Sequence, residues 1–259
     1  MEVVNFSIEL LALLFFVAVI AGLLDTLAGG GGLISLPALI LSGMPPLAAL
    51  GTNKLQGSMG TATATFLMLK NKRITWAEIK PLMLSAFIGS ALGTLVIQFI
   101  DTKILSLVIP IVLLFIAIYF LVSPMPKEHQ GIAVLSNKQY KSTAVPAIGF
   151  YDGLFGPGTG SFFALAGVAC RGYGLVYSIA MAKPLNFATN IASLFVFIAA
   201  GHVVWMLGLL MMLGQMIGAW FGSHFLFKIN PSYLRFLIVI MCIGMLIKYS
   251  HSMTWIHFA

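Results

Sequence analysis

The chain has 259 residues, of which 60% are hydrophobic and 8% charged, and its mean hydropathy is +1.03. That composition excludes a water-soluble globular domain, because so few charged residues cannot clothe one in water. The formal charge of +7 does not point to nucleic acid either, since Lys and Arg stand singly between apolar runs and form no basic stripe with aromatics.

In chain order, the first apolar run covers residues 8–24. It has no basic segment before it and no small-residue cleavage site before Asp25, so it reads as a membrane helix, not a removable signal. Asp25 is followed by "TLAGGGGLISLP". Gly29, Gly30, Gly31 and Gly32 break the helix, because each costs roughly 1 kcal/mol relative to alanine in a helix interior. Non-helical backbone at membrane depth is tolerated only where protein or a water-filled cavity satisfies it, so the break predicts a cavity. A half-helix restarting after Gly32 aims its free N–H groups and positive dipole end into that cavity, which outlines an anion site.

Residues 44–69 form the next predicted span and carry "GTNKLQGS", with Asn53, Lys54 and Gln56 in an apolar setting. An intramembrane lysine is by default functional; the alternatives are snorkelling to the interface, or pairing with Asp25 or Asp152 to hold the molecule together. The amides read equally as interhelical hydrogen-bonding groups. Further spans follow at 81–100 and 104–122, then the polar stretch 123–141. Residues 145–170 read as one span containing Asp152 and "GPGTGS", where Gly156, Gly158 and Gly160 repeat the glycine break and Ser161 is placed to cap the new helix. Residues 176–200 hold Lys183, Asn186 and Asn190, and Pro184 disfavours helix at the lysine, predicting a second break. Spans at 206–227 and 234–247 complete a count of eight.

Sliding the chain by 129 residues brings Lys54 onto Lys183, Trp76 onto Trp205 and Gly43 onto Gly172; a slide of 127 brings Asp25 onto Asp152. The chain therefore reads as two repeats, 1–126 and 142–259, joined by a polar loop at 127–141. An even number of spans per half makes the repeats parallel and an odd number makes them inverted. Gly89, Gly93, Gly218 and Gly222 recur in an "IGxxxG" pattern that allows close helix packing. The expected fold class is all-α: a polytopic integral membrane protein of about eight transmembrane helices in two homologous repeats, with glycine-broken or re-entrant helices.

With the amino terminus inside, Lys70, Lys72, Arg73, Lys80, Lys127, Lys138, Lys141 and Lys248 fall on the cytoplasmic side, and Lys103, Arg171, Lys228 and Arg235 outside, so both termini are expected in the cytoplasm. Trp76 and Trp205 stand at span starts as interface anchors. Cys170 and Cys242 are isolated packing residues, and the histidines are scattered, so no metal site and no cofactor is expected.

"AGGGGLISLP" followed by "ALGTNKLQ", with a diverged copy of both in the second half, resembles the TauE/SafE family of sulfite and organosulfonate exporters over nearly the whole chain. Within that family the chain is most similar to uncharacterised bacterial members. The resemblance implies an inner-membrane transporter of sulfur-containing anions such as sulfite or sulfoacetate, and the direction of export comes from it alone. The second copy departs from the pattern, with "GPGTG" for "GGGG" and Lys183-Pro184 for Lys54-Leu55. The expected partners are a small anionic substrate and the lipid bilayer, with a homo-oligomer left open and nucleic acid excluded.

The resulting reading is a secondary carrier. A small oxyanion lies against the N–H groups after Gly29 to Gly32 and Gly156 to Gly160, Lys54 and Lys183 supply charge, and Asp25 and Asp152 carry a proton or serve as counter-charges. The alternative is an anion or small-solute channel with two half-helices, which a saturable flux would argue against. An intramembrane enzyme is remote: the Gly-x-Gly-Asp signature of membrane aspartyl proteases is missing, and "GPGTGS" lacks the lysine of a phosphate-binding loop.

Overall fold

The computed structural model describes residues 7–122 and 131–226; the expected span at 234–247, Cys242 and the last basic residues lie outside the described residues. The described chain is helical: α1 (Ile8–Ala28), α2 (Gly32–Leu41), α3 (Pro46–Lys70), α4 (Trp76–Ile97), α5 (Thr102–Val122), α6 (Asn137–Ser142), α7 (Ala144–Leu154), α8 (Thr159–Arg171), α9 (Leu175–Ala199) and α10 (Trp205–Phe225). Among them α1, α4, α9 and α10 are long and apolar enough to cross a membrane. Their outward faces carry Phe16, Leu92, Phe195 and Leu213, all exposed, as lipid-facing helices require.

Local signals set the helix ends. The Ser7 hydroxyl accepts from the Leu10 N–H at the start of α1, and Thr75 with Glu78 and Ser136 with Gln139 form capping boxes for α4 and α6. Trp76 and Trp205 open α4 and α10 with exposed rings. Helix α9 begins and ends 129 residues after α3, and α10 begins 129 residues after α4. Packing is matched in the same way: α1 lies on α10 as α7 lies on α4, and α3 lies on α10 as α9 lies on α4. Glycine makes these approaches possible. A Cβ on Gly218 would sit 1.9 Å from the Val19 carbonyl oxygen, and one on Gly93 would sit 2.1 Å from that of Phe150.

The equivalent helices α3 and α9 cross antiparallel, with Gly51 facing Phe197 and Gly57 facing Asn190. The halves are therefore inverted. Two hairpins account for this. Helix α1 starts in one apolar cluster, through Leu14 and Ala18, and passes into a second through Leu24 and Leu27; α2 then turns back, with Leu36 and Leu39 again in the first. From the opposite face α7 starts with Val145 in the second cluster and reaches the first with Leu154, and α8 returns with Ala164.

The segment 145–170 is thus two helices folded back on each other and not a single span, because Gly156 and Gly158 adopt left-handed φ angles of 90° and 79° between them. This changes the side on which Arg171 lies. Expected opposite to Lys138 and Lys141, Arg171 instead donates to the Leu135 carbonyl oxygen beside α6. Lys70, Lys72, Arg73, Lys80, Lys138, Lys141 and Arg171 share one face, while α1 begins at the face where Lys103 follows α4. The break predicted at Pro184 is also absent, since α9 runs unbroken through it. Proline removes one N–H from the ladder, and tight packing of Lys183, Pro184 and Leu185 in the interior holds the helix there.

Candidate substrate site between the glycine breaks

The two hairpin tips meet in the protein interior. Helix α1 stops because Gly29 takes a left-handed φ of 80° and its N–H donates to the Asp25 carbonyl oxygen at 2.7 Å. A Cβ on Gly29 would fall 2.2 Å from the Ser161 backbone nitrogen, so the tips touch backbone to backbone. Ser161 does not cap α8; its hydroxyl donates across the molecule to the carbonyl oxygen of Ala28, the last residue of α1. Gly158 occupies the α8 cap position, with no side-chain cap.

Both intramembrane lysines are buried and both are already engaged. The Lys54 ammonium donates to the Asp152 carbonyl oxygen at 2.6 Å and lies 2.7 Å from its carboxylate Oδ2. That carboxylate contact is an ion pair by distance, but it lacks hydrogen-bond alignment, and Oδ2 has no other partner. The Lys183 ammonium donates to the Asp25 carbonyl oxygen. Each lysine therefore satisfies a carbonyl in the last turn of the other half's broken helix, where α1 and α7 supply no basic residue of their own. The Asp25 carboxylate turns elsewhere and accepts the Gly31 N–H at 3.2 Å. One donor of the expected anion cradle at the start of α2 is thus taken by the protein's own acid.

Beside these groups lies an amide cluster. The Asn53 Oδ1 accepts from the Ser35 hydroxyl at 2.6 Å and from Gln56 Nε2 at 2.8 Å, and Asn190 Nδ2 donates to the Asn186 carbonyl oxygen at 2.9 Å. Gln56 Oε1 and Gln215 Oε1 are buried without a hydrogen-bond partner among the described residues. A cavity of about 20 Å3 is lined by Asp25, Gly32, Ser35, Asn53, Lys54, Gly57, Thr61, Asp152, Gly156, Asn186, Asn190 and Gln215. It has room for roughly one water, so in this structure the site is contracted below the size of an oxyanion.

Of the residues expected from sequence, Asp25, Gly32, Asn53, Lys54, Asp152, Gly156, Asn186 and Asn190 line this cavity. Gly29 and Gly160 form the tip contact, and Gln56 and Lys183 stand one bond behind the lining at Asn53 and Asp25. Gly30 and Gly158 shape the turns, and Gly31 holds Asp25. Ser35, Gly57, Thr61 and Gln215 were not anticipated. Gln215 had a signal, as the lone amide inside an apolar run. The lysine and aspartate arrangement is two-fold, but the amides are not: at the 129-residue offset Gln215 matches Ala86, Asn53 matches Ala182, and Asn186 and Asn190 match Gly57 and Thr61.

Comparison with known proteins adds the lineage. A family model described as sulfite exporter TauE/SafE matches residues 14–249. A Haemophilus influenzae protein named "Probable membrane transporter protein" is 40% identical over 98% of this chain and 100% of its own length. The Escherichia coli K12 "Probable membrane transporter protein YfcA" is 39% identical over 96% of this chain and 93% of its own. A Sinorhizobium relative, "Probable membrane transporter protein ORF9", is 40% identical over 94% of both chains. No solved structure matches.

Proposed function

The chain belongs to the TauE/SafE sulfite exporter family, and from that premise we propose that it is a secondary carrier of small sulfur-containing oxyanions or organosulfonates. Its membrane-transporter character comes with the family; the substrate class and the coupling are the proposal. The observation that carries it is that the two glycine breaks, between α1 and α2 and between α7 and α8, reach one buried polar cavity from opposite faces, at Gly32 and at Gly156. Helix amino termini favour negative charge, and inverted hairpins meeting at mid-membrane let one central site be offered to either face. The lining supports a small oxyanion through amide donors at Asn53, Asn186, Asn190 and Gln215, with Gly32 and Gly156 letting backbone approach closely.

In this reading the contracted cavity expands by separation of the hairpin tips, and the substrate displaces the Asp25 carboxylate from the Gly31 N–H. Asp25 is then the group whose protonation would favour loading of an anion, while Asp152 stays bound to Lys54 as a counter-charge. The orientation that places the basic face in the cytoplasm of a bacterial inner membrane is part of the same proposal.

The test is flux in proteoliposomes across a panel of sulfite, thiosulfate, sulfoacetate, sulfate and chloride. A carrier gives saturable flux for a subset of sulfur anions that responds to an imposed pH gradient. Unsaturable chloride flux would favour the channel, and no flux of any member of the panel would end the oxyanion reading.

A further inference from the structure

A recess at the basic face takes no part in the site described above. It encloses about 510 Å3 between α4, α6 and the start of α9, with Lys138 and Lys141 on one wall, Ala77 and Glu78 on another, and the buried side chains of Leu82 and Met181 as its floor. Met181 and Asn186 of the central cavity are five residues apart on α9, roughly 7.5 Å along the helix axis at about 1.5 Å per residue, with buried Ala182 and Leu185 between them. The acid in the recess is already engaged: Glu78 accepts from the Tyr177 hydroxyl at 3.2 Å and from the Thr75 N–H at 3.0 Å. Lys138 and Lys141 remain exposed on α6, so the open wall of the recess is cationic.

The inverted relation of the halves gives an independent reading of the same place. At the 129-residue offset Glu78 matches Leu207, Leu82 matches Met211 and Tyr173 matches Met44; at the 127-residue offset Lys141 matches Leu14. These counterparts are 0%, 0%, 6% and 1% exposed and belong to one closed apolar cluster at the opposite face. At these four positions the basic face has an open polar recess and the opposite face a buried apolar cluster, although the surrounding helices are arranged alike; Met206, the counterpart of Ala77, stays exposed at the rim of that cluster.

We propose that the recess is the open vestibule of the translocation path, an entry site that binds the substrate oxyanion through Lys138 and Lys141. The cluster of Leu14, Met44, Leu207 and Met211 is its closed counterpart. The inference rests on the carrier reading and deepens it: the described state is closed at the centre, open toward the basic face and shut by an apolar gate at the other.

The experiment uses a Cys170→Ser, Cys242→Ser background carrying either Ala77→Cys or Leu207→Cys, reconstituted in zwitterionic lipid and labelled with a membrane-impermeant maleimide. Sulfoacetate is the protecting probe, because sulfite itself consumes maleimides. Ala77→Cys is expected to react and to be slowed severalfold by sulfoacetate, while Leu207→Cys stays unreactive. In the flux assay, Lys138→Gln with Lys141→Gln is expected to raise KM roughly threefold to tenfold with kcat unchanged, as for two partly solvated charges that act on binding alone. Labelling of Ala77→Cys that ignores sulfoacetate, together with an unchanged KM, overturns the vestibule. Protection by added phosphatidylglycerol in place of sulfoacetate also overturns it, and assigns the recess to a lipid headgroup. Wild-type flux alongside either result refutes the vestibule alone, whereas absence of wild-type flux refutes the carrier reading and the vestibule with it.

Discussion

Lys54 and Lys183 are equivalent by repeat, yet their partners differ. Lys54 holds both the carbonyl and the carboxylate of Asp152, whereas Lys183 holds the carbonyl of Asp25 and leaves that carboxylate to the Gly31 N–H. Removing one member of a buried ion pair strands the other, at a cost of about 3–5 kcal/mol. Lys54→Gln is therefore expected to lower the thermal stability of the purified protein sharply, and adding Asp152→Asn should restore most of it, whereas adding Asp25→Asn should not. Equal rescue by the two asparagines would refute the pairing. Asp25→Asn alone keeps an acceptor for the Gly31 N–H but removes the counter-charge facing the buried Lys183, so it is expected to cost more than the about 1 kcal/mol of a single hydrogen bond. The presence of buried lysines and aspartates was legible in the sequence, since charged groups stand out in apolar runs. Their pairing was not, because partners such as Lys54 and Asp152 lie 98 residues apart and on opposite halves.

The helix connections depend on glycine in two distinct ways, which substitution can separate: Gly43 lies in the α2–α3 turn and Gly29 at the tip of the α1–α2 hairpin. Gly43 has φ 89° but open space around its Cβ position, so Gly43→Ala carries only the left-handed backbone penalty of roughly 1–2 kcal/mol. Gly29 combines φ 80° with backbone of the opposite hairpin 2.2 Å from a Cβ. Gly29→Ala must separate the tips, so it is expected to abolish flux and depress the melting temperature well beyond Gly43→Ala. Similar behaviour of the two variants would mean that the tip contact does not matter. Four glycines in a row announced the first break. Pro184 announced one that the fold does not have, because close packing of neighbouring helices around it offsets the lost hydrogen bond and the ring's crowding of the preceding turn.

Among the described residues one face is strongly basic and the other carries Glu9, Asp101 and Lys103, and the two re-entrant hairpins decide which residues belong to each. In the proposed orientation, with the face of Lys70, Lys72, Arg73, Lys138, Lys141 and Arg171 toward the cytoplasm by the positive-inside rule, α1 starts outside, opposite to the side expected from the span count. The expected outcome of impermeant labelling of single cysteines in intact cells is that the 71–75 and 172–174 turns behave alike, and that Ser7→Cys reacts from the other side. Opposite labelling of the two turns would restore the simple span count and remove the inverted arrangement.

Composition alone determined that lipid is the solvent, because apolar content and scarce charge are additive over the chain and need no geometry. Internal repetition determined which elements correspond, since α3 and α9 keep one offset from end to end. Whether those elements run parallel or inverted was decided by the tertiary structure, because it depends on whether a glycine-broken segment continues across the bilayer or folds back, and hydropathy is the same in both cases. The site likewise took form only in three dimensions. Ser35, Thr61 and Gln215 join it through helix crossings, and the Gly31 N–H that local sequence offered to an anion is claimed in the folded protein by the Asp25 carboxylate.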